Sequence, residues 1–178
     1  MEVEPVVTER LEMVSLSPDV LTALLDGRRS EAETAMGLRF PEEWPGELMW
    51  LFRLRIEQMH EDPSTQPWLL RAIVLRGSGG MVIGHINFHE PPIDGAVEIG
   101  YTIEPAHRRR GYATEAVLGM FRWAEEAQPV QRFIASVSPD NAPSLGLISN
   151  LGFVQTGVQW DERDGEELVF ELVWPTPT

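Results

Sequence analysis

Three apolar runs separated by short turn sequences occupy the middle of the chain and constrain its fold more than anything else in it. They are "WLLRAIVL" (68–75), "MVIGHINFHE" (81–90) and "AVEIGYTIE" (96–104). "GSGG" follows the first, and "PPIDG" separates the second from the third. Glycine- and proline-rich clusters between apolar, β-branched runs are hairpin turns. The three runs therefore predict an antiparallel meander. Upstream, "TERLEMVSL" (8–16) alternates apolar and polar residues and reads as a first strand. "SPDVLTALLDG" opens on Ser-Pro-Asp and closes on Gly, the start and stop signals of a helix. Residues 28–60 are helical in pattern but broken by Pro41 and Pro45, with "LMWLFRLRIEQMH" the strongest piece. Trp44, Trp50 and Phe52 in that region read as core or pocket wall.

Downstream, "GYATEAVLGMFRWAEEA" sets Ala113, Val117, Met120 and Ala124 at helical spacing. "QRFIASVS" is a strand and "APSLGLISNLGF" a short helix ending near Gly152. "VQTGVQW" and "EELVFELVW" are two final strands joined by "DERDG". The order strand, helices, three strands, helix, strand, helix, two strands predicts one α/β domain over residues 1–178. Its sheet is mixed, mostly antiparallel and twisted, with helices on both faces.

Composition narrows the function. There is no cysteine, which excludes disulfides, thiolate metal sites and a cysteine nucleophile. No apolar run approaches the ~20 residues that span a bilayer, and "MEVEPVVTER" lacks the apolar region of a signal peptide. The expectation is a cytoplasmic protein with no membrane partner. Asp and Glu number 28 against 14 basic residues, all of them Arg, for a net charge of −14. Nucleic-acid binding needs a basic face, so it is not expected. The acidity serves solubility and is also compatible with drawing in a cationic substrate such as an amine.

Against that background "AHRRRGYATEA" (106–116) stands out. Three arginines and a glycine lead from a strand into a helix. The first N–H groups of a helix lack intrahelical partners and sit at the positive end of its dipole. That end binds phosphate. Gly111 carries no Cβ to obstruct the approach, Ala113 is small, and arginine adds charge-assisted bonds to phosphate oxygens. The loop reads as a phosphate or pyrophosphate cradle, with a solvated basic loop as the alternative. The sequence has no G-x-x-x-x-G-K-[ST], no G-x-G-x-x-G after a strand, no G-x-S-x-G and no H-E-x-x-H. "RGSGG" lies between two strands and reads as a hairpin.

These residues resemble the GNAT N-acetyltransferases. Arg108-Arg109-Arg110-Gly111-Tyr112-Ala113 matches the family's Arg/Gln-x-x-Gly-x-Gly/Ala loop. Ile103, with Pro105 before Arg108, matches its lead-in. Asn141, Ser144 and Leu151-Gly152-Phe153 match its second motif. "TERLEMVSL" and "VEIGYTI" resemble the RimJ/RimL-like branch, named for ribosomal-protein alanine N-acetyltransferases. The resemblance runs over about residues 8–174 and is best over 96–157. It implies the GNAT acyl-CoA N-acyltransferase fold and an acetyl-CoA-dependent enzyme that needs no metal.

The resemblance also implies roles. The loop Arg108, Arg109, Arg110, Gly111, Tyr112, Ala113 and Thr114 would hold the pyrophosphate of acetyl-CoA. The strand "EIGYTI" would splay from "RFIASVS", with Tyr101, Thr102 and Ile103 along the pantetheine arm. A backbone N–H there would stabilise the oxyanion. A primary amine, on a protein N-terminus or a small molecule, would attack acetyl-CoA directly in a ternary complex. Glu98 is the first candidate for general base, its pKa expected to rise with burial; His85 and His89 are alternatives, sharing a strand face with Asn87. Many family members place a tyrosine general acid where this chain has Ile148. Ser144 is the nearest substitute, as acid, as partner of the sulfur, or only as a helix residue. Asn141 would bond the pantetheine amides or cap the following helix. The assembly would be a monomer or homodimer. The alternative function is an acyl-CoA sensor or interaction module with little turnover.

Overall fold

A computed structural model describes residues 3–175. In chain order its elements are β1 (Val6–Val7), β2 (Leu11–Ser15), α1 (Pro18–Leu25), α2 (Arg29–Met36), α3 (Met49–Glu61), β3 (Arg71–Leu75), β4 (Val82–Phe88), β5 (Ala96–Ile103), α4 (Tyr112–Ala127), β6 (Arg132–Val137), α5 (Ala142–Asn150), β7 (Val154–Asp161) and β8 (Gly165–Val173). The chain forms two compact units. One holds the chain up to Asn87 together with Tyr101–Met120; the other holds Phe88–Gly100 and the chain from Phe121 onward. Strands β4 and β5 and helix α4 each pass from one unit to the other.

In the first unit the strand order is β1-β2-β3-β4. All three pairings are antiparallel. Paired residues share a face of a sheet, and Met13 opposite Ile73 and Val14 opposite Ala72 define the two faces. Met13 and Ile73 are fully buried. Helix α4 packs on their side: a Cβ added to Gly119 would lie 2.7 Å from Thr8 Cγ2 and 3.0 Å from Met13 Cε. Glycine is what permits that approach. On the other face Ala72, Val74 and Val82 join Leu21 and Leu24 of α1, Leu51 and Phe52 of α3, and Trp44 in one apolar cluster. Each fully buried side chain of this size contributes about 1.5–3 kcal/mol. Ser17 caps α1 by accepting from Val20 N–H, with Pro18 in the first turn, as the sequence predicts.

In the second unit the order is β5-β6-β8-β7. The β5–β6 pairing is parallel, through Ala96–Arg132, Val97–Phe133 and Glu98–Ile134; β6–β8 and β7–β8 are antiparallel. The core is aromatic. Phe121 stacks on Phe133 with centroids 3.6 Å apart, and Trp174 meets both edge-on at 5.5 and 5.8 Å.

Two strand boundaries differ from the sequence reading. "TERLEMVSL" becomes a strand only at Leu11; Thr8–Arg10 is a turn between β1 and β2. "WLLRAIVL" becomes a strand only at Arg71, because Pro63–Trp68 form a 3₁₀ turn. Arg71 is fully buried inside this apolar strand. Its guanidinium donates to the carbonyls of Pro67 (2.9 Å), Met13 (3.1 Å) and Glu4 (3.1 Å). Burial lowers its pKa to about 10, so it stays charged at neutral pH.

Candidate active site

After β5 the chain makes one 3₁₀ turn at Pro105–His107 and reaches α4 at Tyr112. Arg108 Nε donates to the Ile103 carbonyl at 2.8 Å, closing the loop on the strand end. Arg109 (φ 61°) and Gly111 (φ 78°) are both left-handed. That conformation costs an ordinary residue about 1–2 kcal/mol and glycine nothing comparable. A Cβ built on Gly111 would meet only Arg10 Nη2, at 3.4 Å. The demand for glycine is therefore one of backbone conformation at an open helix start. Arg108, Arg109 and Arg110 are exposed. The open glycine, the exposed arginines and the first turn of α4 fit an anionic group such as a pyrophosphate.

A carboxylate anchors that turn from within the same unit. Glu115 accepts from Thr8 Oγ1 (2.6 Å), from the Arg10 backbone N–H (2.7 Å) and from Arg10 Nε (2.6 Å). Burial pushes Glu115 up, but these hydrogen bonds and the Arg10 charge outweigh it and hold the carboxyl below its ordinary value.

In the second unit, Glu98 Oε2 lies 3.5 Å from His89 Nδ1, and the His89 N–H donates to the Glu98 carbonyl at 2.9 Å. The His89 and Glu98 side chains are 47% and 27% exposed. Burial raises the Glu98 pKa, but the hydrogen bond and charge of His89 and a hydrogen bond with Ser136 more than reverse it. The expected upward shift is thus corrected to a downward one: Glu98 is ionised through the neutral range. Asn141 Oδ1 accepts from Ser144 N–H at 3.3 Å and so caps α5. Ser144 is half-buried in the first turn of that helix. Ile148 is buried, which places an aliphatic core residue where many family members carry the tyrosine acid.

Residues 10–154 match the acetyltransferase (GNAT) domain family. This chain belongs to the GNAT acetyltransferase family. It is 26% identical over 152 residues to the uncharacterized N-acetyltransferase YjdG of Bacillus subtilis (strain 168), covering 83% of this chain and 88% of that one. Solved structures that share the fold include two of note. One is a ribosomal-protein-S5-alanine acetyltransferase from Vibrio fischeri, with TM-score 0.64, 16% identity and coverage of 95% of this chain and 96% of that one. The other is the microcin C7 self-immunity acetyltransferase MccE in complex with acetyl-CoA and AMP, with TM-score 0.64, 15% identity and coverage of 93% of each chain.

In this GNAT acetyltransferase the residues named from sequence fall into two groups. Tyr101, Thr102, Ile103 and Arg108–Thr114 lie together in the first unit; Glu98, Asn141 and Ser144 lie in the second. Ile103 is buried, Tyr101 half-buried and Thr102 exposed. Glu98 and His89, expected as rivals, form one pair. A hairpin register across "PPIDG" would have revealed this, since it sets residue 89 opposite residue 98. Thr8 and Arg10 escaped sequence reasoning; the only signal was a polar triplet in front of an apolar alternation. Among the described residues no group of acidic and histidine side chains could hold a metal ion, and no helix is long and apolar enough to cross a membrane.

His85 is 6% exposed and meets Trp44 edge-on, centroids 6.0 Å apart; Trp44 Nε1 donates to Glu104 at 3.0 Å. Arg55, also buried, donates to Asn87 Oδ1 and to Gln58 Oε1. Burial, and then the Arg55 charge, lower the His85 pKa to about 4, so it is a poor base at neutral pH. The unfolded chain protonates this histidine near its ordinary value, about 6.5. Between those two values the unfolded state binds more protons, so acidification destabilises the fold there by a total of ~3 kcal/mol. Thermal midpoints measured against pH should show that loss in the wild type. In His85→Gln the curve should be flatter across the same window.

Proposed function

We propose that this chain transfers an acetyl group from acetyl-CoA to a primary amine, by direct attack with no acyl-enzyme. The observation that carries the reading is the left-handed, open Gly111 between exposed arginines and the start of α4. Arg108–Thr114 bind the pyrophosphate, and Tyr101, Thr102 and Ile103 run along the pantetheine. Asn141 shapes the start of α5, and Ser144 there is the partner of the thiol. The proton of the attacking amine leaves through the Glu98–His89 pair. A carboxylate held below its ordinary pKa is a weak proton acceptor, and the imidazole beside it offers a second acceptor nitrogen. Glu98 lies 3.5 Å from His89 Nδ1 and orients its ring. Exposed Glu42, Glu43 and Glu47 flank the buried Trp44 and favour a cationic acceptor.

The acceptor is a protein N-terminus or a small-molecule amine. A structural neighbour that acetylates a ribosomal protein supports testing N-terminal peptides beside free amines. The test is thiol release from acetyl-CoA across such a panel, with the acetylated product identified by mass. Turnover on at least one amine well above the hydrolysis rate supports the transferase reading. Bound CoA with no turnover on any amine favours the sensor reading, to which the buried Ile148 lends weight.

A further inference from the structure

The guanidinium of Arg10 makes three contacts with the start of α4. Nη1 donates to the Arg110 carbonyl at 2.8 Å, Nε donates to Glu115 at 2.6 Å, and the guanidinium carbon lies 4.6 Å from the centre of the Tyr112 ring. Thr8 and the Arg10 backbone hold the same Glu115 carboxylate in place. The contacted carbonyl belongs to the peptide between Arg110 and Gly111, and both Arg109 and Gly111 have positive φ.

In a trans peptide the C=O and N–H point in opposite directions. Turning the Arg110 carbonyl toward Arg10 therefore turns the Gly111 N–H away from it. A peptide that precedes glycine is also the easiest to flip, because glycine accepts both signs of φ. The residue that opens the cradle is thus its loosest point. A flipped peptide would present a carbonyl oxygen, and not an N–H, to an anion.

We propose that Arg10 is a positioning residue that locks the Arg110–Gly111 peptide in its anion-binding orientation and so sets the affinity for the pyrophosphate of CoA. This rests on the reading of Arg108–Thr114 as the pyrophosphate loop. Arginine is specified because one planar fork reaches the carboxylate and the carbonyl together while lying over Tyr112; lysine reaches one acceptor at a time. Arg10 acts through the loop and touches neither the acetyl group nor the acceptor.

The test compares two donors on the full chain: acetyl-CoA, and acetyl-pantetheine, which lacks the pyrophosphate. The variants are Arg10→Ala, Arg10→Lys and Glu115→Gln. Calorimetric titration with CoA should show Kd raised about 10- to 100-fold in Arg10→Ala, the loss expected for a charge-assisted hydrogen bond. Arg10→Lys and Glu115→Gln should fall between that and the wild type. The KM for acetyl-pantetheine and the kcat at saturating acetyl-CoA should stay within about threefold, on the order of a half-unit change in log rate. A merely structural role would weaken both donors by the same factor, and that result overturns the proposal. So does an unchanged Kd for CoA in the variants. If the wild type shows no preference for acetyl-CoA over acetyl-pantetheine, the pyrophosphate loop itself is misread. If the preference exists and survives in Arg10→Ala, only the role of Arg10 falls. Should Arg10→Ala fail to fold, the two milder variants decide on the same readouts.

Discussion

Gly111→Asp removes acetyl-CoA binding while the protein still folds. Two effects add. The left-handed backbone at φ 78° costs a side-chain-bearing residue about 1–2 kcal/mol. The new carboxylate also sits at the helix start where the phosphates bind. Like charges 4 Å apart repel by about 4 kcal/mol at the effective dielectric of a protein surface, before screening by salt. Even with that screening the sum exceeds ~2.7 kcal/mol, a loss of at least about 100-fold in Kd. Folding survives because the site is exposed and a Cβ there meets only the end of the Arg10 side chain, at 3.4 Å. Gly111→Ala relaxes out of the left-handed region when free and pays that backbone cost on binding, so it should lose about tenfold. Calorimetric titration with CoA reads both. A Kd within threefold of wild type in Gly111→Asp would mean that the loop is not the cradle.

Glu98→Gln lowers kcat by about 10²- to 10⁴-fold, the range of a lost acid–base contribution, and leaves the Kd for acetyl-CoA within twofold. Glutamine keeps the shape of the side chain and an oxygen that accepts from His89, but removes the charge that orients and supports the imidazole. Because Glu98 is held below the ordinary carboxylate range, it is ionised throughout the neutral region. The supporting charge is therefore present across that region in the wild type, and the difference between the two proteins should shrink under acid conditions that protonate the wild-type carboxylate. Full activity of Glu98→Gln on a competent amine would remove the carboxylate from the reaction.

Much of this candidate site is legible from local sequence because the features proposed for it are local. Gly111 is demanded by one backbone angle, and the arginines and the helix start are contiguous with it. The meander was readable because glycine and proline mark its turns. What escaped depends on partners far along the chain. Thr8 and Arg10 continue the alternation of β2 on paper, yet they turn away to hold Glu115, 105 residues beyond Arg10. Arg71 interrupts an apolar strand, and backbone carbonyls, those of Glu4, Met13 and Pro67 among them, make that burial tolerable. The sign of the Glu98 shift failed for the same reason. Burial could be guessed from a strand position, whereas its donors come from the end of β4 and from β6. Asn141 was open between ligand and cap, and in this structure its side chain caps α5.

The central claim is that the chain binds acetyl-CoA through Arg108–Thr114. Thermal unfolding with and without acetyl-CoA tests it most directly, with ATP and NAD as controls. At 100 times its Kd a ligand adds ~2.7 kcal/mol to stability, a rise of about 5–11 °C in the midpoint for a chain of this size. The account predicts that rise with acetyl-CoA, a much smaller one with ATP or NAD, and its loss in Gly111→Asp. No rise with acetyl-CoA, or a larger one with either control, would contradict it.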